Sequence, residues 1–501
     1  MSSEYRILGG RLHDGIRFVG TRDVIVQADR IIAIEPAGSV GRGSGVVFDA
    51  SGLVVSPGFI DGHANSTPQQ IIESDGASAL HQGVTTQIVG HCGRSGDFYT
   101  QPEEALGHLD VYREVRGAVN IGTLIGHSTI RQVTMQGHHN RIATAEEIGK
   151  MVSLARAAFD EHGAMGISTG FMYAPGSFAS DDEIVTLLSE AGLRGLVYSS
   201  HLRDEGDAVI ESVEEAIHHA RSAGVRLQIA HHKIVGYRNV GKSDQTLDLI
   251  REARQEHKID LDVYPYTASS TLLRTVMPQS VLSTYGFDTR AIREDTDAVQ
   301  CIEQDGLQRY CPNRWGDVVI SATKIEALRG RSIGEITGTD DPVLTMLALL
   351  DQDPGCYAVF RNAISQDDLE NVLLDDRCAI ASDGYLYDSS FKDVTHPRSY
   401  GSFPLSIERF VNERGSLSLE RMLQKMTSLP AEQYAIKDRG VLRPGAYADI
   451  VIFDPERLQS HALYDHPTAL SSGVSAVFVN GKPALLDGKV TGARSGVHLS
   501  W

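Results

Sequence analysis

A chain of 501 residues, 41% hydrophobic and 22% charged, carries enough apolar sequence for a large folded core, which excludes a disordered chain or a lone small sandwich. Its 46 Lys+Arg against 65 Asp+Glu leave a net charge of −19, which argues against nucleic acid or an anionic membrane as partner. No apolar run reaches the roughly 18 residues of a spanning helix, and no basic-then-apolar leader follows Met1; with Cys92, Cys301, Cys311, Cys356 and Cys378 too sparse for a disulfide framework, a cytoplasmic protein is expected.

The first 56 residues read as hairpin-rich β sequence, with short apolar stretches at 5–11, 16–20, 23–27, 30–35, 46–49 and 52–55. From about 57 to 430 the texture changes to strand–helix alternation. Strands are expected at 85–90, 119–125, 166–168, 196–199, 226–230, 259–264, 318–321, 357–360 and 379–381. Helices are expected at 103–115, 145–161, 181–190, 207–223, 242–256, 333–349 and 366–374. In 207–223 the residues Ala208, Val209, Val213, Ala216 and Ile217 recur at helical spacing among charges, giving one buried face. Repeated units of this kind favour a (β/α) barrel, with an open sheet as the competing arrangement. A charged, irregular stretch at 271–315 breaks the rhythm and reads as an insertion at the barrel mouth. β texture returns at 448–455 and 475–481, so residues 1–56 and 431–501 are expected to pair into one small β domain beside a barrel of 57–430.

Residues that follow barrel strands meet at one face however far apart they lie in sequence. His63, Cys92, His201, His231, His232 and Asp383 all fall just after expected strands, and all carry metal-binding donors. Zinc takes thiolate and imidazole ligands in near-tetrahedral shells, and a catalytic site leaves one place open. Cys92, His201 and His231 would supply one sulfur and two nitrogens on those terms. Each residue taken alone has an ordinary structural explanation, and nothing in the pattern fixes a reaction.

Several motifs in order along the chain resemble those of one family. They are Gly58-Phe-Ile-Asp-Gly-His63, Val89-Gly-His-Cys-Gly-Arg-Ser95, Gly166-Ile-Ser-Thr-Gly170, Tyr173-Ala-Pro-Gly176, His201-Leu-Arg-Asp-Glu-Gly206, Ala230-His-His-Lys233, Tyr264-Pro-Tyr-Thr267, Ser382-Asp-Gly384, His396-Pro-Arg398 and Gly440-Val-Leu-Arg-Pro-Gly445. Together they resemble the N-acyl-D-amino-acid deacylase (D-aminoacylase) branch of the amidohydrolase superfamily. The resemblance implies an α/β fold: a TIM-like (β/α)8 barrel, a small β-sandwich domain formed by both termini, and an inserted segment. It implies a zinc-dependent enzyme that hydrolyses the amide of N-acyl-D-amino acids, small-molecule substrates.

By the same resemblance, Cys92, His201 and His231 hold a tight zinc, and His232 is set aside as a ligand. Asp383 acts as base and acid, with His63 beside it. Lys233, Arg398, Tyr264, Ser270 and Tyr173 match the group that binds the substrate carboxylate. Asp204 and Glu205 are expected to hold Arg203. The sequence departs from the family where His63-Ala-Asn65 replaces a His-x-His pair. Asparagine is a poorer zinc ligand than imidazole, so the expectation is one occupied zinc with a second weak or absent. Hydrolysis of a cyclic amide or another acylated amine, a non-catalytic scaffold, and assembly into a homo-oligomer stay open.

Overall fold

Strands Val84–Val89, Gly166–Gly170, Val197–His201 and Ile259–Val263 are buried at every position, as parallel strands covered on both faces must be. The computed structural model describes residues 4–41, 45–96, 101–137, 139–192, 195–307, 310, 315–337, 341–391 and 393–500. Among the described residues, eight parallel strands form the barrel. Phe59–Asp61 pairs with Val84–Val89, and Val84–Val89 with Asn120–Thr123. That third strand continues as Ile125–Gly126, which pairs with Gly166–Gly170. Val197–His201, Arg226–Ile229, Ile259–Val263 and Cys378–Ile380 follow in order. The ring closes through a parallel bridge between Ala64 and Gly384, where Asp383 N–H donates to His63 O at 2.8 Å. This seam lies at the chemistry-bearing end of the barrel.

The surrounding helices are amphipathic and capped. Ala145–Asp160 begins at a capping box in which Thr144 accepts from Glu147 N–H, satisfying an otherwise orphaned donor. Val209–Ala223 turns Val209, Val213, Ala216 and Ala220 inward and ends at Gly224, whose φ of 67° favours glycine. Truncating one such buried aliphatic side chain to a cavity costs about 2–5 kcal/mol.

Both chain ends enter one nine-stranded sheet, joined where Val54–Pro57 runs antiparallel to Ile450–Phe453. Period-two alternation lets one strand serve two cores. Ile450 and Ile452 pack with Ile7, Val24 and Phe478 in the sheet's own core. Val451 and Phe453 face the barrel, where Phe453 meets Phe59 edge-on at 6.0 Å between centroids. The chain then returns to the barrel, and His498–Leu499 pairs with Ile121 and Gly122.

Two stretches with barrel-strand sequence lie elsewhere. Val318–Ala322 and Tyr357–Phe360 join Ser269–Leu272 in a separate antiparallel sheet with a core that includes Val276, Ile292, Leu347 and Phe360. Between Ser269–Leu272 and Val318–Ala322 the charged stretch contains helices Gln279–Tyr285, Thr289–Glu294 and Thr296–Cys301. The latter two are capped by Asp288 and Asp295 and are too short to show a periodic apolar face. The expected helix over 333–349 is two, Ile333–Thr337 and Pro342–Gln352, the second started by Asp341 and a proline. Cys311 lies outside the described residues. Among the described residues no helix is long and apolar enough to cross a membrane.

Candidate active site

The loop after the second barrel strand carries Cys92 to the centre of the barrel mouth. It approaches its neighbours closely: a Cβ at Gly170 would stand 2.2 Å from Cys92 O, so only glycine fits there. Ser168 fastens the loop, accepting from Gly93 N–H at 3.0 Å and donating to Gly90 O at 2.6 Å. Cys92, His231 and Asp383 hold φ of 55°, 33° and 49°, the left-handed region that side chains other than glycine rarely adopt. Three strained residues clustered at one barrel end, each fixed by surrounding hydrogen bonds, mark a functional site.

Three imidazoles surround the Cys92 sulfur: His201 Nδ1 at 3.4 Å, His231 Nε2 at 3.5 Å and His63 Nε2 at 3.6 Å. Ordinary zinc–sulfur and zinc–nitrogen bonds at a tetrahedral angle separate their donor atoms by about 3.5 Å, so the donor set fits zinc. Burial holds His201 and His231 well below the usual imidazole range, in the neutral form that ligates metal. It also pushes the Cys92 thiol up. His63 behaves differently: burial opposes its charge, but Asp262, 3.1 Å from Nδ1, together with Cys92 and Asp383 outweighs that and raises it well above the usual range. Asp262 also accepts from the backbone N–H of His231 at 2.7 Å and so ties the His63 imidazole and the His231 main chain to one carboxylate.

Asp383 is held at both oxygens. Arg398 Nη1 lies 2.7 Å from Oδ2, and Asn65 Nδ2 donates to Oδ1 at 2.6 Å, while His63 Nε2 stands 3.5 Å from Oδ1. Burial would raise this carboxyl, but Arg398, His231, His63 and Lys233 outweigh it and keep it below the usual carboxylate range. Arg398 opens helix Arg398–Ile407, and His396 secures that turn by accepting from Arg398 N–H and meeting Ala268 O.

The donors open onto a cavity of about 620 Å³. Of the ten residues proposed from sequence, nine line it; His63 stands just behind the wall, fully buried. Tyr264 presents its ring to Lys233 and Arg398, at 5.8 and 4.9 Å, and its buried hydroxyl has no hydrogen-bond partner among the described residues. Tyr173 packs on His201 and shares a 2.8 Å hydrogen bond with Thr271; Ser270 lies on the same wall. His232 is turned away, with Nε2 on Thr246 at 2.9 Å and its pKa lowered by burial to about 4.

Two expectations are corrected here. Arg203 pairs with Glu215 at 2.8 Å, one helix further along, and not with its sequence neighbours. Glu205 turns into the site, where Oε1 accepts from Lys233 Nζ at 2.5 Å and stands 3.1 Å from His231 Nδ1. The second correction concerns the metal. Donors converge in two adjoining groups, His63, Cys92, His231 and Asp383 in one and His201, Glu205 and His231 in the other. His231 belongs to both, with Nε2 toward Cys92 and Nδ1 toward Glu205. The missing imidazole at Asn65 therefore does not reduce the centre to one metal position, because Asp383 and Glu205 supply donors that the ligand count from sequence omitted.

Asp262, Glu205 and Asn65 were not among the sequence-proposed site residues, and neither were Arg94 and Arg274 of the cavity wall. The signal for Asp262 was the alternation Ile259-Asp-Leu-Asp-Val263, two acids inside a buried strand.

The sequence profile of the Amidohydrolase family matches residues 54–484. D-aminoacylase of Alcaligenes xylosoxydans xylosoxydans is 32% identical over 513 residues, covering 99% of this chain and 97% of that protein. The chain is an amidohydrolase of the N-acyl-D-amino-acid deacylase family. Within this family, N-acyl-D-glutamate deacylase from Bordetella bronchiseptica, solved with zinc and a phosphonate inhibitor, superposes with a TM-score of 0.84 at 29% identity over the whole of both chains. A D-aminoacylase structure with a TM-score of 0.82 and 29% identity, covering 99% of each chain, is described as having a binuclear metal center. That relative agrees with the two donor groups in this amidohydrolase and overturns the expectation of a single zinc.

Proposed function

We propose that this amidohydrolase cleaves the amide bond of N-acyl-D-amino acids, releasing a carboxylate and a free D-amino acid. The observation that carries the reading is the Cys92 sulfur ringed by three imidazoles beside a buried, doubly held Asp383. The metal donors in this reading are Cys92, His201 and His231, joined by His63, Asp383 and Glu205. Zinc bound by these donors supplies a Lewis acid that acidifies water and draws charge from the acyl carbonyl.

The chain's own groups do the remaining work. Without substrate, Arg398 rests on Asp383 Oδ2 and Lys233 on Glu205 Oε1. The substrate carboxylate competes for both cations; arginine offers a two-pronged match and lysine a compact charge. Tyr264 and Ser270 add hydroxyl donors to this anion site, and Tyr173 forms the wall between it and His201. As Arg398 is drawn to the substrate, Asp383 Oδ2 becomes free to accept a proton from the attacking water and later deliver it to the leaving nitrogen. His63, tied through Nδ1 to Asp262 at 3.1 Å, has its Nε2 held beside the Asp383 carboxylate.

We assign residues 1–56 and 431–501 to the accessory β domain, 57–430 to the catalytic barrel and 271–315 to an insertion at its mouth. The reading also takes a reducing, cytoplasmic setting, since Cys92 must stay a thiol, and no nucleic-acid partner for so acidic a chain. The test is amine release from paired N-acetyl-D- and N-acetyl-L-amino acids with varied side chains, using zinc-loaded protein. Release from D substrates is expected; no release from any of them would overturn the reading.

A further inference from the structure

We infer that Asn65 is a positioning residue for Asp383, acting through its amide N–H₂ and not as an oxygen ligand to metal. The inference rests on the proposed proton role of Asp383. Asn65 lies in the seam that closes the barrel, where its backbone N–H donates to Gly384 O at 2.7 Å. Its side-chain nitrogen reaches back across that seam, donating to Asp383 Oδ1 at 2.6 Å and meeting Asp383 O at 3.2 Å. One amide thus spans both the carboxylate and the backbone of a residue whose φ of 49° needs outside support. Swinging the Asn65 carbonyl oxygen toward an ion would turn the amide over and remove the donor from Oδ1.

The contact matters most during turnover. The hold on the opposite oxygen is Arg398 on Oδ2, with His63 Nε2 at a longer 3.5 Å from Oδ1, and Arg398 also belongs to the wall that receives the substrate carboxylate. Once substrate recruits the guanidinium, Asn65, the shorter of the two contacts on Oδ1, keeps that oxygen in place while Oδ2 handles the proton. A hydrogen bond to a charged group inside a protein is strong enough for its loss to be read in rate.

The experiment compares the parent protein with Asn65→Ala and Asn65→Asp in zinc content, kcat, KM and crystal structure. For Asn65→Ala, zinc per chain is expected to match the parent, KM to stay within about twofold, and kcat to fall about ten- to a hundredfold. Its structure should show the Asp383 carboxylate rotated away from its parental position. Asn65→Asp keeps the shape but sets two carboxylates face to face, so kcat should fall at least as far, and it carries the test if the alanine variant does not fold. Parental kcat with Asp383 unmoved would overturn the inference, as would loss of zinc in proportion to kcat, the signature of a ligand. If the parent hydrolyses no N-acyl-D-amino acid, the functional reading fails, while the position of Asp383 in the variant structures still decides this inference.

Discussion

Replacing Asp383 with asparagine tests proton transfer, with fold and metal content read on the same protein. Asparagine tolerates the left-handed backbone at this position, φ 49° in the parent, and its carbonyl can still accept from Asn65. What goes is the negative charge at Oδ2 and the site that carries the proton. Positioned acid–base catalysis contributes about 10²–10⁴-fold, or roughly 3–5 kcal/mol of barrier, and kcat should fall within that range. Arg398 would face a neutral amide. Breaking a buried pair costs about 3–5 kcal/mol, and that is a ceiling here because Arg398 borders a cavity that water can enter. Stopped assays of amine release, zinc content and a thermal melt on one preparation measure all three effects. Parental turnover in a folded, zinc-loaded variant would refute the proton route.

Cys92→Ala removes the sulfur at the centre of the donor cluster, so zinc content after dialysis should drop with the fold intact; undiminished zinc would count against the assigned centre. Lys425 lies buried beneath the barrel with Nζ on Asp375 O and Cys378 O, and burial lowers its pKa to about 8. Because the unfolded chain holds that proton up to about pH 10.4 and the fold releases it near 8, stability of the parent should rise between those values relative to Lys425→Met, by at most about 3 kcal/mol. Denaturant titrations of both proteins at about pH 7.5, below the window, and about pH 10, near its top, check the difference; parallel curves would contradict it. Arg274 faces the cavity with no ion pair or side-chain hydrogen bond among the described residues, and burial lowers its pKa. N-acyl substrates with a second carboxylate should therefore show a lower KM than neutral ones, and Arg274→Gln should erase the difference; equal KM values in the parent would exclude this role.

Much of the site was legible because strand order turns sequence position into spatial position. Cys92, His231 and Asp383 follow a barrel strand and His201 ends one, and the ring of strands brings them together without reference to side-chain detail. Pairings among charged neighbours were not legible in the same way. In Arg203-Asp-Glu205 adjacency suggests a local ion pair, yet the chain turns there, sending Arg203 to a helix and Glu205 to Lys233. Asn65 was read by ligand strength alone, whereas its nitrogen found a carboxylate across the barrel seam. Val318–Ala322 and Tyr357–Phe360 were indistinguishable from barrel strands because an apolar run of four or five residues does not encode its partner. The short helices Thr289–Glu294 and Thr296–Cys301 are set by aspartate caps, a signal weaker than periodicity in a stretch this charged.

The proposed hydrolysis requires that sulfur and imidazole from separate strands share a metal. Anomalous scattering at the zinc edge, on crystals of the zinc-loaded protein, reads this directly. The expected map has a peak bonded to Cys92 Sγ and His231 Nε2, with a second peak adjoining the His201–Glu205 side at sufficient zinc. A map with no peak within bonding distance of Cys92 would contradict the account.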